Sequence, residues 1–165
     1  MFKSKLLFVL ALAVGGLAGS SANAVNVTVG CGALVVSVVR TENAPSVINS
    51  VAFVNIPGAV WGFAVPAGQS RCIKVTFTGE AACRGPTTIS DFCYIRALDN
   101  GIELSPQGAT LQSFLSEDAT ENAHAYEWVR RIGPGNHTIL IQRRVGNAAT
   151  GFLLDDWTFD LEIHQ

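Results

Sequence analysis

Apolar and polar residues alternate along most of this chain. In Cys72–Thr78, Ile73, Val75 and Phe77 fall on one face and Lys74, Thr76 and Thr78 on the other. Towards the C-terminus Trp157, Phe159, Leu161 and Ile163 alternate with Thr158, Asp160, Glu162 and His164. A period of two belongs to a strand that shows one face to a core and the other to water. Ala33–Thr41, Val51–Ile56, Val60–Val65, Phe92–Leu98, Ala123–Ile132 and Thr138–Val145 read the same way and are rich in β-branched and aromatic residues. A shorter strand is expected around Thr110–Leu115, inside an irregular polar stretch. No segment after residue 24 sustains a helical period.

Turn chemistry punctuates these runs at Pro57-Gly58, Pro66-Ala67-Gly68, Gly85-Pro86, Asp99-Asn100-Gly101 and Gly133-Pro134-Gly135-Asn136. Gly and Asn supply positive φ at such corners, and Asn100-Gly101 is the pair expected of a tight type I′ hairpin. About nine short strands with this punctuation predict an all-β fold, an antiparallel two-sheet sandwich. Its size suits a jelly roll.

The N-terminus reads as an export signal. A short basic start carries Lys3 and Lys5, Leu6–Val14 is an apolar run, and Ala22-Asn23-Ala24 offers a small-x-small cleavage site. The run is too short to span a bilayer, which takes about 20 residues. Ser20 stands where a lipoprotein would need a cysteine. The reading is therefore a signal peptide over residues 1–24, then a single β-sandwich domain over 25–165, secreted or periplasmic, with no membrane span in the mature chain.

Removing the signal changes the charge. Residues 25–165 hold eight arginines and Lys74 against thirteen acidic residues, a formal net charge of −4. Arg130-Arg131 and Arg143-Arg144 are the only basic pairs, and neighbours on a strand point to opposite faces. Nucleic acid, which demands clustered cations, is not an expected partner.

Cys31, Cys72, Cys83 and Cys93 all follow the signal. An even count in an exported chain predicts two disulfides, with three possible connectivities. Cys83–Cys93 across the Gly85-Pro86 loop and Cys31–Cys72 at the N-terminal strand are the favoured pairs. A zinc site is disfavoured because there is no Cys-x-x-Cys and no histidine at matching spacing.

Chemistry-bearing motifs are sparse. His124-Ala125-Tyr126-Glu127 lacks the second histidine of a metal-binding jelly roll, and His137 and His164 sit at a strand start and the chain end. There is no Gly-x-Ser-x-Gly elbow. No catalytic residue, metal or cofactor is assigned. Asp155 and Asp156, beside Gly151, are weak calcium candidates, since calcium takes about six or more oxygens. Flat aromatic rings suit sugar faces, and Trp61, Tyr126 and Trp128 are the ligand-binding candidates: Trp61 between two turn signals, Tyr126 and Trp128 on a mixed face with His124 and Arg130. Trp157 is in phase with apolar neighbours and is expected in the core.

The stretch Val129–Val145, with Gly135-Asn136-His137-Thr138 and Ile141-Gln142-Arg143-Arg144, resembles a hairpin of secreted bacterial β-sandwich domains of unknown function. Those domains pair it with a segment similar to Cys93–Gly101. The likeness covers about half of residues 25–165 and implies the fold and export, with no activity attached. It departs at Arg143, where such segments carry a large apolar residue. Gly151-Phe152-Leu153-Leu154 is also similar, over these four residues alone, to the last strand of the trimeric heads of complement and tumour-necrosis-factor-like proteins.

Three functions stay in view. The first is an exported, non-catalytic binding module for a glycan or other cell-surface ligand, with loops at one end of a rigid sandwich doing the binding. The second is a structural or assembly protein forming a homo-oligomer, with Leu140, out of phase with Ile139 and Ile141, exposed for contact. The third is a small secreted hydrolase, which would need a pair of acids in a cleft.

Overall fold

The computed structural model describes residues 29–85, 91–107, 113–116 and 118–165; the expected signal peptide lies outside them. The strands are β1 Leu34–Glu42, β2 Ser46–Ile48, β3 Val54–Val65, β4 Arg71–Arg84, β5 Phe92–Asp99, β6 Ile102–Glu103, β7 Ser113–Ser116, β8 Asp118–Ile132, β9 Gly135–Val145 and β10 Gly151–His164. They form two antiparallel sheets. Sheet I has the order β1-β10-β4-β8, with β2 beside β10; sheet II has β3-β9-β5-β6, with β7 beside β5. β1 and β2 pair with successive stretches of β10, and β6 and β7 with opposite ends of β5. Counting each couple as one interrupted strand gives eight strands ordered 1-8-3-6 over 2-7-4-5. That order is the jelly roll.

The alternating pattern builds the core. Ile73, Val75 and Phe77 of β4 and Phe159, Leu161 and Ile163 of β10 face Ile95, Ala97, Ile139 and Ile141 of sheet II, all buried. Both favoured disulfides are present. Cys83–Cys93 joins β4 of sheet I to β5 of sheet II, and Cys31–Cys72 ties the chain ahead of β1 to β4. The Asn100-Gly101 corner links Asp99 to Ile102 with φ of 48° and 83°, as a type I′ turn requires.

Three expectations are corrected. Pro57-Gly58 is no turn: it lies in a bulge of one continuous β3, and Val51–Ile56 and Val60–Val65 are not separate strands. Bulges absorb extra residues while the strand continues, so turn-type residues within a long strand need not end it. Val129–Val145 is no hairpin either, because β8 belongs to sheet I and β9 to sheet II. Gly133-Pro134 is a corner that carries the chain across the sandwich. Leu140 is half-buried, flanked cross-strand by Val60 and Leu98 on the outer face of sheet II.

The two flanks of the sandwich differ. On the β6–β8 side a bridge between Ser105 and Val129 joins the sheets, with hydrogen bonds in both directions. On the β1–β3 side the Arg40 guanidinium reaches across, donating to the Gly58 carbonyl at 3.3 Å and lying 5.1 Å from the Trp61 ring centre. β1 is exposed along almost its whole length: Leu34, Val35, Val36 and Val39 keep 43–58% of their surface.

Candidate binding face and cavity

The three predicted ligand-binding aromatics are not brought together. Trp128 is fully enclosed in the core, its ring centre 4.8 Å from that of half-buried Tyr126 and tilted 36° to it. The face it shares with His124 and Arg130 is mixed in composition but turned inward, because β8 is long enough for its polar ends to overhang the core that its centre fills. Burial pushes the Tyr126 hydroxyl above its ordinary pKa, with Glu103 adding to the effect. Trp61, half-buried on the inner face of β3, lies at the opposite flank beneath Arg40. No common ligand can span them. Asp155 and Asp156 occupy a bulge of β10 rather than a loop, and among the described residues no group of three or more His, Cys, Asp and Glu is placed to hold a metal.

A different aromatic row lies on the outer face of sheet II. Cys93, Ile95 and Ala97 of β5 point into the core, so Phe92, Tyr94 and Arg96 point out. Register sets Arg144 beside Tyr94, and Gln142 between Arg96 and Asn55. Phe53, just ahead of β3, lies between the two arginines, its ring centre 3.9 Å from the Arg96 Cζ and 5.2 Å from the Arg144 Cζ. The Arg144 Cζ is also 4.1 Å from the Tyr94 ring centre, and Tyr94 lies 6.2 Å from Phe92. Phe92 keeps 42% of its surface exposed.

Polar groups on this face are aligned by one another. The Arg96 Nε donates to the Gln142 Oε1, and the Gln142 Nε2 donates to the Asn55 Oδ1, each at 2.8 Å. The result is a strip of three aromatic rings, two guanidinium groups and two amides. Such a strip can stack on an apolar ring face and hydrogen-bond its rim. Alternation alone identifies Tyr94 and Arg96 as outward residues; what the sequence hides is Phe53, brought over the face by the chain leading into β3.

Sheet I carries a concavity of about 520 Å³, lined by Thr41, Glu42, Thr78, Glu80, Asp156 and Thr158 among others. It lies where the β10 bulge shifts the register against Gly79. Its polar lining is mostly hydroxyl and carboxylate, with Asn43 and His124 beside them, and Trp157, its largest ring, is buried and stacked on Phe77. Glu42 already spends its Oε1 on the amides of Asn43 and Ala44.

The part-buried His137–Asp99 pair has no nucleophile attached among the described residues. The His137 Nδ1 lies 2.9 Å from the Asp99 Oδ1, and its Nε2 is 3.0 Å from the Gly133 carbonyl. Both ring nitrogens are committed to holding the sheet-crossing corner against the β5–β6 turn.

Compared with known protein families and with curated proteins, the chain matches none.

Proposed function

We propose that the protein is an exported binding module that holds a saccharide on the outer face of sheet II. The observation that carries this reading is the strip Phe92, Tyr94, Arg144, Phe53 and Arg96, with Gln142 and Asn55 beside it. Aromatic surface presented next to ordered planar hydrogen-bonding groups suits a sugar, whose ring is apolar on its faces and hydroxylated around its edge. The strands beneath are disulfide-linked to sheet I, so the strip is pre-organised and binding costs little ordering. Export agrees with the two disulfides, with the signal-like N-terminus, and with the resemblance to secreted bacterial sandwich domains.

The test is calorimetric titration of the oxidised protein with a panel of neutral and acidic oligosaccharides. Phe92→Ala and Tyr94→Ala should each weaken a hit roughly tenfold, the loss of about one stacking contact. Both variants binding as tightly as the parent would remove the strip from the reading.

A second reading, assembly into an oligomer, is favoured by one observation: β1 is a nine-residue edge strand with β10 as its neighbour and four exposed apolar residues. An uncovered apolar edge is a template for another strand. Light scattering should then give a discrete oligomer that Val39→Lys dissolves, and a monomeric parent would end this reading.

A further inference from the structure

Building on the saccharide-binding reading, we infer that the ligand of the sheet II face is an acidic saccharide, one bearing carboxylate or sulfate groups. Arg96 is in no ion pair among the described residues, and its one hydrogen bond is from Nε to Gln142. Its two terminal nitrogens are left as a fork, the geometry that matches a carboxylate or sulfate bidentately. Phe53 at 3.9 Å fixes the plane of that fork, so little side-chain freedom is lost when an anion docks.

Arg144 lies between Phe53 and Tyr94, and its Nη1 donates to the Val145 carbonyl at 3.3 Å. Both guanidinium carbons lie on the Phe53 ring, which puts them within about 9 Å of each other. The Arg96 fork on its aromatic support recognises an anionic group, while Tyr94 and the exposed Phe92 along the same strand meet the adjoining sugar face. Two cations in a chain of net charge −4 over residues 25–165 are too few for a nucleic-acid track, which needs a run of phosphate contacts. Ligand charge is therefore read locally, by bidentate geometry, rather than by the field of the whole protein.

The experiment compares three probes on the oxidised protein by calorimetry: an oligogalacturonate, the same oligomer with every carboxyl methyl-esterified, and dextran sulfate. The acid oligomer should bind at least about tenfold more tightly than its ester, an advantage that shrinks as salt is raised. Arg96→Gln should bring the two within about threefold, since Gln keeps a donor and loses the fork. Preference for dextran sulfate over both galacturonates would specify sulfate as the group read. Equal binding of acid and ester, with no binding of dextran sulfate, would overturn the inference and leave the saccharide reading standing. An unchanged acid-to-ester ratio in Arg96→Gln would overturn the assignment to Arg96. Failure of all three probes and of the neutral panel would overturn both readings.

Discussion

Replacing Arg143 by methionine should leave the protein as stable as before or more so, although it deletes three hydrogen bonds from the core. Arg143 is 2% exposed. Its Nη1 donates to the Ser46 carbonyl at 3.2 Å and to the Phe152 carbonyl at 3.5 Å, and its Nη2 to the Ser46 Oγ at 2.8 Å. The Nε has no partner, and no carboxylate pairs with the guanidinium among the described residues. Burial pushes its pKa down from the ordinary arginine range to about 10. At about 1.4 kcal/mol per pH unit, that is a penalty of about 3 kcal/mol for keeping the buried charge. Methionine keeps the apolar stem against Phe152 and sheds the charge, and the Ser46 acceptors are near enough to solvent to find water. Hydrophobic replacements of buried ions are often stabilising by about 1–4 kcal/mol. Thermal unfolding should therefore shift by between zero and about +10 °C, at roughly 3–4 °C per kcal/mol for a domain of this size. Arg143→Ala, which leaves a void, should instead cost about 2–4 kcal/mol. The pH dependence has a definite sign. Above pH about 10 the folded chain gives up the Arg143 proton more readily than the unfolded chain, so the parent gains stability relative to Arg143→Met as pH rises. Loss of more than about 1 kcal/mol in Arg143→Met at pH 7 would refute the reasoning and make Arg143 a net stabilising latch on β2.

Three further outcomes follow from the same structure. Cys83→Ala with Cys93→Ala opens a link between the sheets and should cost about 2–5 kcal/mol in urea unfolding. Gly101→Ala forces a Cβ into φ of 83° at the β5–β6 corner and should cost about 1 kcal/mol, with Asn100→Gly close to neutral by the same assay. Oligogalacturonate incubated with the protein should keep its chain length by size-exclusion chromatography; shortening that Glu80→Gln or Asp156→Asn abolishes would place a hydrolytic site in the sheet I cavity.

The fold was legible because its strands are half-buried and alternate cleanly. Ile73–Val75–Phe77 and Phe159–Leu161–Ile163 need no tertiary knowledge to be placed inward. Illegible were the features that depend on which sheet a strand joins. Gly133-Pro134 has the chemistry of a hairpin turn, and nothing local says that the two strands it connects go to different sheets. Trp128 shows the cost for the site. A face shared with His124, Tyr126 and Arg130 reads as exposed, yet its centre, Trp128, is fully buried in the core between the sheets. Arg143 shows the reverse, a charge in phase with Ile139 and Ile141 that stays in phase and is buried. Phe53 could not have been found, since its role depends on lying across β5 and β9, about 40 to 90 positions further along the chain.

The unequal flanks of the sandwich give the molecule a spine and a fore-edge. Along the spine, the Ser105–Val129 bridge binds the sheets backbone to backbone. At the fore-edge, Arg40 alone of the β1 side chains holds the leaves together through hydrogen bonding and ring contact, to Gly58 and Trp61. Breathing motions should therefore have a direction, with β1 opening before β4, β5 and β8 and the Cys31–Cys72 link holding the chain ahead of it. Amide hydrogens should exchange in that order, and anything that grips β1 from outside would still the whole book.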